Sequence, residues 1–365
     1  MQSSPPLEGI GGRLMNSNPL LGTFFHAVGG ASASSCYLPS QKTKQWSWGT
    51  FWLVQSAFAW LIMPLLVGYL TVPDFFYILK NSTPSVLWGA FLLGAVYGFG
   101  GMSFGFAIQN IGYSLTYSIS IGLSAVLGTM TPLILKGQVM HYFNRPGSGI
   151  VLIGMIIAIV GVAFCGWAGF KKENDLGEMK SKTHFNMTTG LILAIVGGLL
   201  SAVFNISLET GQPISDMASL HGAGEFEGNA KLVVSTAGCF VVNIIWFIVA
   251  GIRKGTLKEF TASSGISAGL RFKNILWSAL AGTLWCGQFF FYGLGHVRMG
   301  NFQFISWVLH MSMLIFFSYG VGLLMKEWKN VSKKTYRILV IALLLLFISS
   351  VIISYGSYYG EQLMK

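Results

Sequence analysis

Between Arg337 and Ser354 the chain reads ILVIALLLLFISSVII, an apolar run broken only by Ser349 and Ser350. In hydrocarbon every backbone N–H and C=O must be satisfied within the chain, so such a run must be a helix or a barrel strand. It is about twice too long for a barrel strand and does not alternate. Nine further stretches approach the ~20 residues a helical span requires. The ten lie near 20–39, 49–71, 84–108, 111–135, 147–169, 188–211, 229–252, 273–295, 300–325 and 334–356. The pattern predicts an all-α polytopic membrane protein with ten transmembrane helices. Composition agrees: 53% of residues are hydrophobic and 10% charged, against about 25% charged in soluble domains.

The net charge of +11 would fit a nucleic-acid partner in a soluble protein. Here it reads as a topology signal, with no nucleic acid and the lipid bilayer as partner. Sixteen of the 23 Lys and Arg residues fall in the loops after spans 1, 3, 5, 7 and 9. Basic loops stay cytoplasmic, which places both termini outside. The four cysteines, Cys36, Cys165, Cys239 and Cys286, lie in apolar stretches without CxxC or Cys/His spacing, so neither a metal site nor a disulfide framework is expected.

Residues 1–14 are polar and aperiodic and read as a disordered N-terminal extension rather than a signal peptide, with Met15 as a candidate natural start. The longest polar linker, 170–187, separates five spans (15–169) from five spans (188–365). An odd number of spans per half inverts the second half relative to the first. This predicts a 5+5 inverted repeat with substrate near the midplane between the halves.

Charged or polar groups inside spans are costly and mark function. His26 lies above Gly30, Ala33 and Tyr37 at helical spacing and can face a cavity or a neighbouring carbonyl. Ser201, Asn205, Glu209 and Gln212 share one stripe of span 6. Glu209 reads as a proton carrier or, with Pro213 and Asp216 close behind, as a hydrated group near the interface. Gln303, Trp307 and His310 share a stripe of span 9, and Trp285, Gln288 and Tyr292 one of span 8. Aromatic plates beside amides and imidazoles suit a sugar, whose C–H faces lie on rings while its hydroxyls need placed donors and acceptors. They also suit a helix-packing seam. The GxxxG pairs Gly94/Gly98 and Gly101/Gly105 read as packing. No phosphate loop or HExxH motif is present, so neither an ATP-driven pump nor a zinc hydrolase of that type is expected.

The segments FFHAVGGASASSCYLPSQKTKQWSW near the start and QFFFYGLGH, FQFISWVLHMSM and GLLMKEW near the end resemble the L-rhamnose–proton symporters, of the drug/metabolite transporter superfamily. The chain departs from that pattern at Ser40–Lys42 and at Gly49. The resemblance implies a bacterial inner-membrane carrier, not an enzyme, importing a 6-deoxy sugar with a proton and using no cofactor. The proton is the coupling ion. His26, Gln288, His296, Trp307 and His310 carry over with the matched segments. On this reading Trp285, Gln288, Tyr292, Gln303, Trp307, His310, His26 and Asn205 bind sugar, and Glu209, His26 or His310 takes the proton. A drug or metabolite exporter of the same superfamily, and a non-transporting sensor or scaffold, are the alternatives. The first predicts a wider, less polar pocket; the second is disfavoured by the short linkers.

Overall fold

The computed structural model describes residues 17–177 and 186–364. The N-terminal extension, Met15 and residues 178–185 of the 170–187 linker therefore lie outside the described residues. Those described form helices and no strand. Ten long helices carry the fold: α1 Pro19–Ser35, α2 Trp48–Thr71, α3 Pro84–Ile111, α4 Tyr113–Leu135, α5 Ser148–Asp175, α6 Met187–Thr210, α7 Gly228–Lys254, α8 Ala268–Arg298, α9 Ser306–Leu324 and α10 Lys333–Leu363. Eight of them are long and apolar enough to cross a membrane. The other two are α1, whose 17 residues rise only about 26 Å, and α8, whose apolar character is diluted by Trp, Gln and Gly.

Helix ends follow local chemistry. Asn18 and Asn186 cap α1 and α6 by accepting from the N–H groups of Leu21 and Thr189. Ser47, Ser267 and Ser332 do the same for α2, α8 and α10, each satisfying one otherwise orphaned donor. A single residue, Gly112 at φ +81°, joins α3 to α4, a turn that a Cβ would strain. Within α2 a π-helical turn spans Phe58–Ile62, just ahead of Pro64. Proline has no N–H for the carbonyl of Trp60, four residues back, so the ladder rearranges there. Buried serines bond back to their own helices, as Ser350 does to Leu346 O at 2.9 Å and Ser354 to Ser350 O at 2.6 Å. This removes the cost of polar groups in an apolar bundle.

The outer faces are apolar. Ile153 and Ile156 on α5, and Leu344, Phe347 and Val351 on α10, are each more than half exposed. A continuous surface of this kind is stable against acyl chains and not against water.

The principal helix contacts form a regular set. Helix α1 packs on α8 and α9, and α6 packs on α3 and α4; α2 packs on α7 and α8, and α3 on α7; α4 pairs with α9 and α5 with α10. Replacing every helix by the one five places along leaves this set unchanged. The match reaches single residues. Gly94 on α3 abuts the backbone of Ser235 on α7, and Gly282 on α8 abuts the backbone of Gln55 on α2. Gly22 on α1 faces Met299, and Gly190 on α6 faces Ile111. Gly112 faces the Glu173 carboxylate, and Gly300 faces that of Glu361. Gly94 and Gly282, Gly112 and Gly300, and Glu173 and Glu361 are each 188 positions apart. Gly22 and Gly190, like the caps Asn18 and Asn186, are 168 apart. Glu361 accepts from Ser17 Oγ at 2.8 Å, so both described chain ends meet at one end of the bundle, called here the terminal end.

Candidate functional site

A cavity of about 50 Å³ sits between the two sets of five helices. Helices α1, α2, α3 and α4 of the first set contribute to its wall, as do α6, α8 and α9 of the second. Its side chains are mainly aromatic. Trp285 meets Trp60 edge-on at 5.4 Å and Phe289 at 5.0 Å, and stacks near Tyr97 at 6.5 Å. The π turn of α2 carries Trp60 to this wall. Gln288, buried at 5% exposure, and Ser201 supply polar groups to the same cavity. Glycine makes the space: a Cβ at Gly101 would touch the Trp60 ring at 3.4 Å, and one at Gly105 would meet Trp52 at 2.7 Å.

Beyond Phe289, toward the terminal end, lies a second chamber of about 20 Å³. It is lined by Glu227, Lys231, Tyr292 and His296. Phe289 belongs to both walls. Tyr292 faces this chamber on one side and a buried histidine pair on the other. Its ring lies 5.4 Å from His26 and 5.4 Å from His310, whose own rings are 5.8 Å apart. Neither histidine is exposed, and none of their four ring nitrogens has a hydrogen-bond partner among the described residues. Close packing holds them: a Cβ at Gly295 would come within 2.9 Å of His26, and one at Gly29 within 2.8 Å of His310. Two neutral imidazoles with unspent nitrogens, buried beside a tyrosine, form a site able to take up and release a proton.

The comparisons with known proteins converge on one family. The family model described as L-rhamnose-proton symport protein (RhaT) matches residues 15–358. An L-rhamnose-proton symporter of Yersinia pestis (strain Pestoides F) is 35% identical over 346 residues, covering 94% of this chain and 99% of that protein. One from Mannheimia succiniciproducens is 34% identical over 344 residues, with the same coverage. The chain belongs to the L-rhamnose-proton symport protein family.

Within this symporter fold the candidate residues divide. Trp285 and Gln288 reach the central cavity; Tyr292, His26 and His310 form the cluster beside it. Trp307 stacks on Phe289 at 6.4 Å, but its indole N–H is held by Ser124, at 2.9 Å to the carbonyl and 3.2 Å to the hydroxyl. A Cβ at Gly128 would collide with that indole. Asn205 donates to Gly128 O at 2.8 Å, bracing the same corner. The Trp307 N–H and an Asn205 N–H are thus engaged within the bundle, while Asn205 Oδ1 has no partner among the described residues. Gln303 lies in a 3₁₀ turn, Gly300–Ile305, ahead of α9, and lines neither chamber. Glu209 occupies the last turn of α6, where it pairs with Lys136 at 2.8 Å. Burial works against the charge on Lys136, and the Glu209 carboxylate more than offsets this, holding the lysine pKa above its usual value.

Trp60, Tyr97, Glu227 and Lys231 escaped the sequence reading. Trp60 and Tyr97 come from spans without a titratable group, though each bears a local mark: Pro64 after Trp60, and glycines flanking Tyr97 in GAVYGFGG. Glu227 and Lys231 fall at a span boundary, where charge looks ordinary.

Proposed function

We propose that this protein imports L-rhamnose or a closely related 6-deoxy sugar across the bacterial inner membrane with a proton, by alternating access. The function of its relatives supports this, and the observation that carries it is the aromatic and amide cavity set against the His26–His310 pair, whose ring nitrogens have no partner among the described residues. Trp285 and Trp60 provide plates for the sugar's C–H faces, and Gln288 and Ser201 meet its hydroxyls. Trp307, Asn205 and Gln303 act as supports rather than ligands. His26 and His310 hold one proton between them: a second positive charge 5.8 Å away in a low-dielectric interior would repel the first. At about 50 Å³ the cavity has room for a few waters and must widen to take a hexose. The cycle therefore requires states in which the two helix sets are differently disposed. Sugar and proton drive it only through unequal affinity for those states. The compact cavity gives no support to an exporter with a wide pocket.

We further propose that all ten helices span, including α1 and α8, as two inverted five-helix repeats. The matched contacts at constant offsets of 188 and 168 positions support this, since related pairs such as Gly112–Glu173 and Gly300–Glu361 lie at opposite ends of the bundle. The basic-residue count supports an outward-facing terminal end.

The test is uptake into proteoliposomes. A pH gradient, acid outside, should drive accumulation of labelled L-rhamnose, and rhamnose entry should acidify the lumen. His310→Gln should lose gradient-driven accumulation while keeping rhamnose exchange at equal pH. Uptake indifferent to the gradient, or absent for L-rhamnose, would overturn the proposal.

A further inference from the structure

Glu227 precedes the first turn of α7 and is 3% exposed. Its Oε2 has no hydrogen-bond partner among the described residues. A carboxylate in that setting is costly to retain unless it is used. It lines the smaller chamber with Lys231, Tyr292 and His296. At about 20 Å³ that space accommodates a single water in this state, too little for a sugar.

Charged groups flank Glu227, while Leu208, Leu232, Phe289 and Val297 make the rest of the chamber wall apolar. Lys231, 6% exposed and one turn along the same helix, donates to the side chain of Gln212. Gln212 in turn donates to Asp216 Oδ1 at 3.0 Å. Glu209 on α6 and Lys136 beyond α4 face the same region, paired with each other. Arg298, at the end of α8, is paired with Glu225. The other charged groups that press on this chamber are thus each bound to a neighbour, whereas Glu227 Oε2 is not. His296 Nδ1, across the chamber, also lacks a partner among the described residues. Its ring stacks on Tyr292 at 5.6 Å, and Tyr292 is the ring that reaches His26 and His310.

We propose that Glu227 is the port of the proton pathway: it takes the proton from the terminal-end side and passes it, through a chamber water and His296, past Tyr292 to the His26–His310 pair. In each step one O–H or N–H bond breaks as another forms, and no other reactant is needed. This rests on the proton-coupled reading above, and it moves the coupling carboxylate from Glu209, which Lys136 engages, to Glu227.

Two measurements test it. In proteoliposomes, Glu227→Gln should lose pH-gradient-driven rhamnose accumulation, since intramembrane carboxylates serve as proton relays. It should leave rhamnose exchange at equal pH near the wild-type rate, and Glu227→Asp should recover part of the accumulation. Wild-type accumulation in Glu227→Gln, or equal loss of exchange and accumulation, overturns the assignment. The second uses the unaltered protein. Dicyclohexylcarbodiimide adds to protonated carboxyl groups in apolar surroundings, and peptide mass spectrometry should find the adduct on Glu227, declining as pH rises. Labelling of Glu209 with Glu227 unmodified overturns the assignment. If the wild-type protein shows no gradient-driven uptake at all, the symport reading fails instead, and the carbodiimide result still decides where the accessible protonated carboxyl lies.

Discussion

The two chambers share Phe289 and differ in almost everything else. The central one is walled by Trp60, Tyr97, Trp285 and Phe289, with Gln288 and Ser201 as its polar contribution. The terminal-end one holds Glu227, Lys231, Tyr292 and His296 in less than half the volume. A sugar needs extended apolar plates and a few uncharged hydrogen-bonding groups. A proton needs titratable groups and at most a bridging water, and is best served where nothing larger fits. On the proposed reading, symport here is a separation of cargoes: the two sites touch through one ring, Phe289, and one cluster, Tyr292 with His26 and His310. Binding at either then alters the packing the other depends on.

The largest effect should come from emptying the aromatic wall. Trp285→Ala removes the plate that meets Trp60, Tyr97 and Phe289, and with it about 1.5–3 kcal/mol of contact. Rhamnose affinity, read from ligand-induced thermal stabilisation, should fall by roughly 10- to 150-fold. The number of protons moved per sugar, at saturating rhamnose, should not change. A change in stoichiometry with affinity preserved would break the comparison, because it would place the proton function in the aromatic chamber.

These two regions also differ in how legible they were. The spans were readable because hydrocarbon tolerates so few sequences, and the Trp285–Gln288–Tyr292 spacing marked one face of α8. The opposite wall was not readable, since Trp60 and Tyr97 reach the cavity only through long-range packing of α2 and α3 on α7 and α8. Glu209 illustrates the converse. Its stripe with Ser201 and Asn205 is real, but the cation that engages it, Lys136, is 73 positions away at the end of another helix. The repeat went unseen at residue level because it survives as glycines and caps at fixed offsets, in two registers rather than one.

A middle-sized effect should follow from disturbing the partition. Gly128→Ala places a methyl where the Trp307 indole lies. Because that indole is pinned to Ser124 and stacks on Phe289, it has little room to retreat. Overpacking should cost about 1–3 kcal/mol, seen as a lower melting temperature in detergent, and should slow both exchange and gradient-driven uptake. If only one of the two declined, Trp307 would belong to one chamber rather than to the boundary.

The smallest effect is expected at Glu209. Its partner Lys136 is about half exposed, at 48% of its side chain, and ion pairs this open to solvent contribute under about 1 kcal/mol. Glu209→Gln should therefore shift the melting temperature little and leave proton-coupled uptake close to wild type. The pH dependence follows from the lysine. Its pKa is raised in the folded protein, so the stabilisation is fully present below the ordinary lysine range and fades only as pH climbs through the raised value. Melting curves of wild type and Glu209→Gln should run parallel through neutral pH and approach one another only at the extremes, in strong alkali where Lys136 loses its proton and in strong acid where Glu209 gains one. Because the pair's contribution is constant across the range in which the carrier works, a loss of coupling in Glu209→Gln at neutral pH could not be ascribed to stability. It would return the proton to α6 and erase the distinction between an engaged carboxylate and a waiting one.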